Sequence, residues 1–517
     1  MLAKITSCAV LGINGWLIQV EVDVSQGLPA FATVGLPDST VRESKDRVKA
    51  AIKNCGYDFP ARRITVNLAP ADVKKEGAGF DLPIAIGILQ ATGTLSPSLP
   101  GHFGIIGELS LDGGVHRIKG ILPMILAATE QGLDGVIIPE ENQRESMLAP
   151  AGIDIIPVSS LSQAVEFLAG VTEIAALGRC HPEEVDFTSP TADDFADIKG
   201  QHHARRAMET AAAGGHNILL KGPPGAGKTM LARRLSTILP VMSMAEVLET
   251  TKIYSVAGKT GEETVLYTTR PFRNPHHTIS DAGLIGGGAI PQPGEVSLAH
   301  NGVLFLDEFP EFKRHVLEVL RQPLEDGVVT IARANMTLAF PARFTLVAAM
   351  NPCPCGFYGD RRGRCNCLPG VIQRYTGKIS GPLLDRIDLH IELPALDYQE
   401  LRHGRAMEDS ATIRARVDRS RALQSARFAG EKGIYCNAQM NNRLVEKYCR
   451  LDSDGNRLLE RSVSSLGLSA RAYHRILKVA RTLADMAQEQ KIRISHLAEA
   501  IQYSRADTSL SHTPGSS

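Results

Sequence analysis

The 517-residue sequence predicts an α/β protein of more than one domain, on three observations. Strand-like apolar runs alternate with helical patterns over residues 1–170. An apolar run, a Gly-rich loop and a helical pattern follow one another over residues 217–235. After about residue 396 only amphipathic helical periods remain, Ile413 to Phe428 and Arg471 to Gln488 among them. At roughly 150 residues per domain, the length predicts about three domains.

In chain order, Trp16 to Val24 and Arg63 to Leu68 read as strands, and Ser39 to Asn54 and Ile121 to Gln131 as helices. From Val171 to about Asp197 polar and small residues, including Ser189-Pro-Thr-Ala-Asp-Asp, read as a linker. The expected organisation is an α/β domain over 1–170, a linker over 171–197, a phosphate-loop domain over 198–395, a helical domain over 396–506 and a disordered tail over 507–517.

The phosphate loop is Gly222-Pro223-Pro224-Gly225-Ala226-Gly227-Lys228-Thr229, between the strand-like Asn217-Ile-Leu-Leu220 and the helical Met230-Leu-Ala-Arg-Arg-Leu235. Glycines let backbone N–H groups turn around phosphates, a lysine reaches the β- and γ-phosphates, and a threonine hydroxyl can hold Mg²⁺. ATP with Mg²⁺ is the expected ligand pair. Val303-Leu-Phe-Leu-Asp307-Glu308 is an apolar strand ending in two carboxylates: Asp307 suits Mg²⁺ and Glu308 suits polarising a water. A further strand, Phe344 to Met350, ends in Asn351, a polar group suited to orient that water or sense the γ-phosphate. Arg386 follows a short apolar turn and Arg471 opens a late helical period; they read as a trans-acting arginine finger and an in-cis sensor.

Lys and Arg together number 56, as do Asp and Glu, so net charge points to no polyanionic partner and any such argument must be local. No run of 18 apolar residues and no charged-then-apolar start occurs, which predicts a cytoplasmic protein without a membrane partner. Of nine cysteines, five are scattered and read as ordinary thiols. The other four form the pairs Cys353-Pro-Cys355 and Cys365-Asn-Cys367, a set suited to tetrahedral structural Zn²⁺, although one residue within each pair is tighter than usual. Reduced thiols or a redox pair are the alternatives. Arg361, Arg362 and Arg364 lie inside this loop and make a local basic patch, which either touches DNA or is merely solvated.

The ordered set of phosphate loop, Asp307-Glu308, Asn351, Arg386 and Arg471 resembles AAA+ ATPases. Arg270-Pro-Phe-Arg-Asn-Pro-His-His-Thr, Leu284-Ile-Gly-Gly-Gly, Pro293-Gly-Glu-Val-Ser-Leu-Ala-His-Asn-Gly and Met350-Asn-Pro-Cys-Pro-Cys-Gly are similar to its magnesium-chelatase-like branch, specifically the YifB/ComM competence family. The resemblance spans nearly the whole chain. It implies an AAA+ core with a helical lid, a homohexameric ring in which Arg386 completes a neighbour's ATP site, and an ATP-driven helicase that promotes branch migration during natural transformation, with single-stranded or branched DNA and recombination proteins as expected partners. In similar rings, insertions such as the Gly-rich Ser280 to Pro293 and the hairpin-like Gly327 to Phe340 point into the pore, where Arg333 would meet a nucleic-acid backbone. A surface hairpin with a solvated arginine is the plainer reading.

The strings Lys75-Glu-Gly-Ala-Gly-Phe-Asp-Leu-Pro-Ile-Ala85 and Gly107 to Ala128, then Gly135 to Asn142, resemble the Lon protease domain. A Lon-type protease needs a serine activated by a lysine. The resemblance places Gly79 at the serine position and Leu122 at the lysine position, with Lys74 and Lys119 nearby but no hydroxyl to activate. An inactive protease shape, kept for assembly or partner binding, is expected. Three functions compete: a DNA motor, a chelatase-type motor and a protein remodeller. Arg414, Arg416, Arg419, Arg421 and Arg427 on one helix give local support to the first, although such a run is usually a solvated or salt-bridged face.

Overall fold

The computed structural model describes residues 1–71, 75, 77–96, 101–150, 152–178, 193–260, 266–288, 291–333, 336–359, 363–395, 407–431, 433–466 and 468–511. Most of the expected linker, the start of the helical domain and residues 512–517 of the tail lie outside the described residues. Two units emerge, Met1–Asp186 with Met244–Tyr267, and Phe187–Ser243 with Thr268–Ser517.

The first unit is built on a seven-stranded sheet in the order Ala30–Val34, Arg63–Ala69, Asn14–Ser25, Leu2–Leu11, Phe103–Ile105, Gly135–Pro139, Asp154–Val158. Leu2–Leu11 and Asn14–Ser25 pair antiparallel through a two-residue turn, Gly12-Ile13. Gly12 there adopts φ 67°, which such turns favour because it matches strand twist. Period-two alternation buries Ile18, Val20, Val22 and Val24 on one face. Helix Asp81–Ala91, buried along its whole length, covers the same strands. A Cβ at Gly87 would fall 2.6 Å from Val22 Cγ2, so glycine sets how closely helix and sheet approach.

Residues 198–395 were expected to form one domain, yet Met244–Tyr267 packs with the first unit. Particular bonds hold it there. The Gly120 amide donates to the Ser255 carbonyl at 3.1 Å, and the Arg117 guanidinium donates to the Thr260 carbonyl at 2.6 Å and its hydroxyl at 2.8 Å. Thr260 in turn donates to the buried carboxylate of Glu145 at 3.2 Å. Burial pushes the Glu145 carboxyl up, against hydrogen bonds from the Leu122 amide and the Thr260 hydroxyl.

The second unit carries a five-stranded parallel sheet in the order Phe272–Arg273, Val303–Leu306, Thr345–Met350, Ile218–Lys221, Leu389–Glu392. Its three central strands are buried at all but one position, as a parallel sheet covered on both faces requires. Helices His202–Gly214, Lys228–Ile238, Ser410–Arg427 and Ala470–Met486 share its core. The expected hairpin is present as Val328–Arg333 paired with Met336–Pro341, its turn lying outside the described residues. The last helix, Ile494–Ser511, runs past position 507, where the tail was expected to begin. No glycine or proline interrupts that stretch before Pro514.

Candidate functional site

Parallel strands deliver their carboxyl ends to one edge of a sheet, where open α/β folds bind ligands. Here Thr345–Met350 lies between Val303–Leu306 and Ile218–Lys221, so Asn351, Asp307-Glu308 and the phosphate loop emerge side by side. The Gly222 amide donates to the Met350 carbonyl at 3.1 Å. A Cβ on Gly222 would sit 2.8 Å from Leu393, whereas the space beside Gly225 is open. Gly225 and Gly227 adopt φ 76° and 80°, turning the loop before helix Lys228–Ile238. That helix has no side-chain cap, so its first amides are left for an anion.

The buried Lys228 ammonium donates to the carbonyls of Gly222 and Pro223 at 2.7 and 3.0 Å and to Asn351 Oδ1 at 3.0 Å. All three acceptors are neutral. Burial lowers the Lys228 pKa while Asp307 opposes that shift, so a phosphate is the partner this ammonium suits. The Thr229 hydroxyl donates to Asp307 Oδ2 at 3.0 Å, which gathers two oxygen ligands of the kind Mg²⁺ takes. These residues fit a nucleoside triphosphate with its metal: the loop and Lys228 can hold the phosphates, Thr229 and Asp307 the ion.

Glu308 turns away from the strand in left-handed backbone, φ 51° and ψ 43°, and its carboxylate Oε2 lies 3.0 Å from Nδ1 of His277. The His277 ring lies tilted against that of His276, their centroids 4.1 Å apart, and meets the Phe312 ring edge-on. Sequence reasoning quoted His277 only within a resembling string; nothing in spacing tied it to a carboxylate 31 positions later, which the sheet brings near. Tyr375 was missed as well. It is buried beside the backbone of Asn351, and burial, with Glu311 near it, pushes its pKa up to about 12.

Arg386 and Arg471 stand together. The Arg386 side chain is only 10 % exposed, pairs with Glu325, and donates to the Pro382 carbonyl at 2.7 Å. Burial, then the neighbouring Arg471 charge, lowers its pKa. Arg471 is 60 % exposed and pairs with Asp385 at 3.6 Å.

The four sulfurs of Cys353, Cys355, Cys365 and Cys367 lie within 4.8 Å of one another. The contacts Cys353–Cys355, Cys353–Cys365 and Cys355–Cys365 are 3.3, 3.7 and 3.6 Å. Tetrahedral thiolates at ~2.3 Å from zinc would stand about 3.8 Å apart, so the cluster can hold a metal ion. Arg364 lies over the Phe357 ring at 4.2 Å; Arg361 and Arg362 lie outside the described residues.

The helix offered as a basic face turns its arginines inward. Arg414 donates to the Thr237 carbonyl, Arg421 to the Ala212 carbonyl, Arg416 pairs with Glu209 and Glu408, and Arg427 with Asp485. Only Arg419, bonded to Ala415 of its own helix, is exposed to solvent among these five. These residues are therefore a structural network. Arg333 is exposed, and the hairpin that carries it packs on the Gly-rich insertion: a Cβ on Gly286 would lie 2.9 Å from Ile331 Cδ1, and one on Gly287 3.5 Å from the Arg333 guanidinium.

In the first unit Gly79 faces Ile106 and Ile118, and Leu122 is buried. Lys119 runs along Gly258, and Lys74 lies outside the described residues. No helix among the described residues is long and apolar enough to cross a membrane.

A parallel sheet with a phosphate loop, paired carboxylates and an asparagine on adjacent strand ends, followed by a helical region, defines a magnesium-chelatase-like AAA+ protein, a class built around ATP and Mg²⁺. The chain matches the families described as Magnesium chelatase, subunit ChlI over residues 194–401, Subunit ChlI of Mg-chelatase over 20–142, and Magnesium chelatase, subunit ChlI C-terminal over 407–504. It is 46% identical to Competence protein ComM of Haemophilus influenzae, with 97% of each chain covered, and 44% identical to YifB of Salmonella typhimurium, with 99% and 98% covered. The chain belongs to the ComM/YifB family. Its N-terminal part is similar to the Lon protease of Mycolicibacterium smegmatis, 31% identical over 179 residues, 33% of this chain and 22% of that one.

Proposed function

We propose that this protein is an ATP-hydrolysing DNA motor that works as a homohexameric ring in the cytoplasm and promotes branch migration of recombination intermediates during natural transformation. The observation that carries the ATPase part is the convergence of Lys228, Thr229, Asp307, Glu308 and Asn351 on three adjacent strand ends. In this reading Glu308 polarises the attacking water, Asn351 senses the γ-phosphate, and Arg386 serves a neighbouring subunit's site with Arg471 beside it. The hairpin and the Gly-rich insertion form one mobile pore element, with Arg333 against a phosphate backbone and Arg364, with Arg361 and Arg362, adding contacts. The name of the Haemophilus influenzae relative supports a role in competence. The cysteine cluster binds a structural Zn²⁺. The Lon-like unit serves assembly or partner binding and not proteolysis, because its serine position is Gly79.

A second reading, a protein remodeller or chelatase-type motor without DNA activity, draws on the balanced charge of the chain and on the inward-turned arginines of Ser410–Arg427. Steady-state ATP hydrolysis with and without single-stranded, duplex and four-way-junction DNA, at two salt concentrations, separates the two. Stimulation coupled to junction unwinding supports the motor. Ring formation and hydrolysis indifferent to every DNA transfers the assignment to the second reading.

A further inference from the structure

We infer that the four-cysteine cluster is a metal-held clamp on the phosphate loop, so that metal occupancy sets nucleotide affinity; this rests on the cluster's binding Zn²⁺. The chain leaves strand Thr345–Met350 through Asn351, the acceptor of the Lys228 ammonium, and reaches the first sulfur, Cys353, two residues later. Cys353 is buried, and its carbonyl accepts from the Gly356 amide at 2.9 Å, closing a tight turn. Gly356 adopts φ 86°, and a Cβ on it would lie 2.6 Å from Pro224 Cδ and 2.7 Å from Cγ. The backbone of the cysteine turn therefore lies directly against the phosphate loop.

The other end of the cluster returns to the same place. Cys365 and Cys367 lead into helix Pro369–Thr376, whose buried Tyr375 lies beside the backbone of Asn351. The segment thus starts at Asn351, passes four sulfurs and ends beside Asn351 again. A metal joining both Cys pairs removes the loop freedom that would otherwise compete with this arrangement. It also presses Gly356 on Pro224 while the Lys228–Asn351 bond fixes the ammonium. With the metal gone, weak sulfur–sulfur contacts and the Tyr358 amide, which donates to Cys353 Sγ at 3.3 Å, are what hold the cluster, and loop and asparagine lose a shared support.

The test measures zinc content per chain together with the affinity for a fluorescent ATP analogue, in the full-length protein as purified, after chelation, and after adding back one equivalent of Zn²⁺. The expected result is about one zinc per chain, at least tenfold weaker nucleotide binding after chelation, and recovery on adding zinc. Gly356→Ala is the second arm. It leaves all four ligands in place and should keep its zinc yet bind nucleotide at least tenfold more weakly, because the new methyl meets Pro224. Stoichiometric zinc with affinity unchanged both by chelation and by Gly356→Ala overturns the clamp while leaving the zinc site standing. A protein that binds no zinc as purified or on titration removes both.

Discussion

His277 Nδ1 stands 3.0 Å from Glu308 Oε2, so a histidine in the turn after strand Phe272–Arg273 restrains the carboxylate that follows the neighbouring strand. A carboxylate tied this way is displaced from full service to a water. His277→Ala is expected to raise basal ATP hydrolysis several-fold without DNA and to shrink the ratio of stimulated to basal rate. Equal rates and an equal ratio would leave the pair a structural contact only.

Glu308→Gln keeps the shape of the side chain and removes its basicity. Hydrolysis should fall by about 10²–10⁴-fold, the usual contribution of a general base, with nucleotide affinity retained. Lys228→Ala should instead lose affinity, since a charge-assisted hydrogen bond is worth about 1.5–3 kcal/mol. Equilibrium binding and single-turnover hydrolysis on both variants distinguish the roles; retained affinity in Lys228→Ala would remove that residue from phosphate binding.

Arg386 pairs with Glu325 within its own chain and is largely buried. A finger role requires that pair to open on assembly. Arg386→Ala should form rings by sedimentation yet hydrolyse ATP about 10³–10⁵ times more slowly. A fully active ring would exclude Arg386 as the finger.

Gly79 has room for a serine, since the atoms nearest a Cβ there are those of Ile106 and Ile118, at 3.7 and 3.8 Å, an ordinary van der Waals contact. Gly79→Ser should fold normally and remain without peptidase activity on an unfolded protein substrate, because Leu122 is buried and Lys119 lies along Gly258. Cleavage by this variant would show that a base is within reach after all.

Asp81 is fully buried, and burial pushes its pKa up to about 6, opposed by the Arg47 guanidinium at 2.7 Å. An unfolded aspartate titrates near about 4, so the native state binds the extra proton between these values. The stability from this group is present below pH ~4 and lost as pH rises through ~6, about 3 kcal/mol in all. Hydrogen exchange of helix Asp81–Ala91 should show that fall in the wild type and a flatter profile in Asp81→Asn. Equal slopes would refute the assignment.

The sequence by itself determined the local chemistry. A phosphate loop needs glycines and a lysine at fixed spacing, a buried parallel strand needs an apolar run, and four closely spaced cysteines converge over a short loop; each is legible because its parts are neighbours in the chain. The expected helix Ser39 to Asn54 matches the observed one because its apolar period is local; the structure adds Asp38 as its cap, accepting from the Val41 amide. Tertiary structure alone decided what crosses the chain. The order of strands in the sheet placed Asn351 between the phosphate loop and Asp307-Glu308, and brought His277 to Glu308. It gave the arginines of Ser410–Arg427 their inward partners, and it put Met244–Tyr267 with the first unit through bonds to Arg117, Gly120 and Glu145. An arginine reads the same in sequence whether it meets solvent or a carboxylate 200 positions away, because the desolvation and pairing that decide its role exist only once the distant partner has arrived.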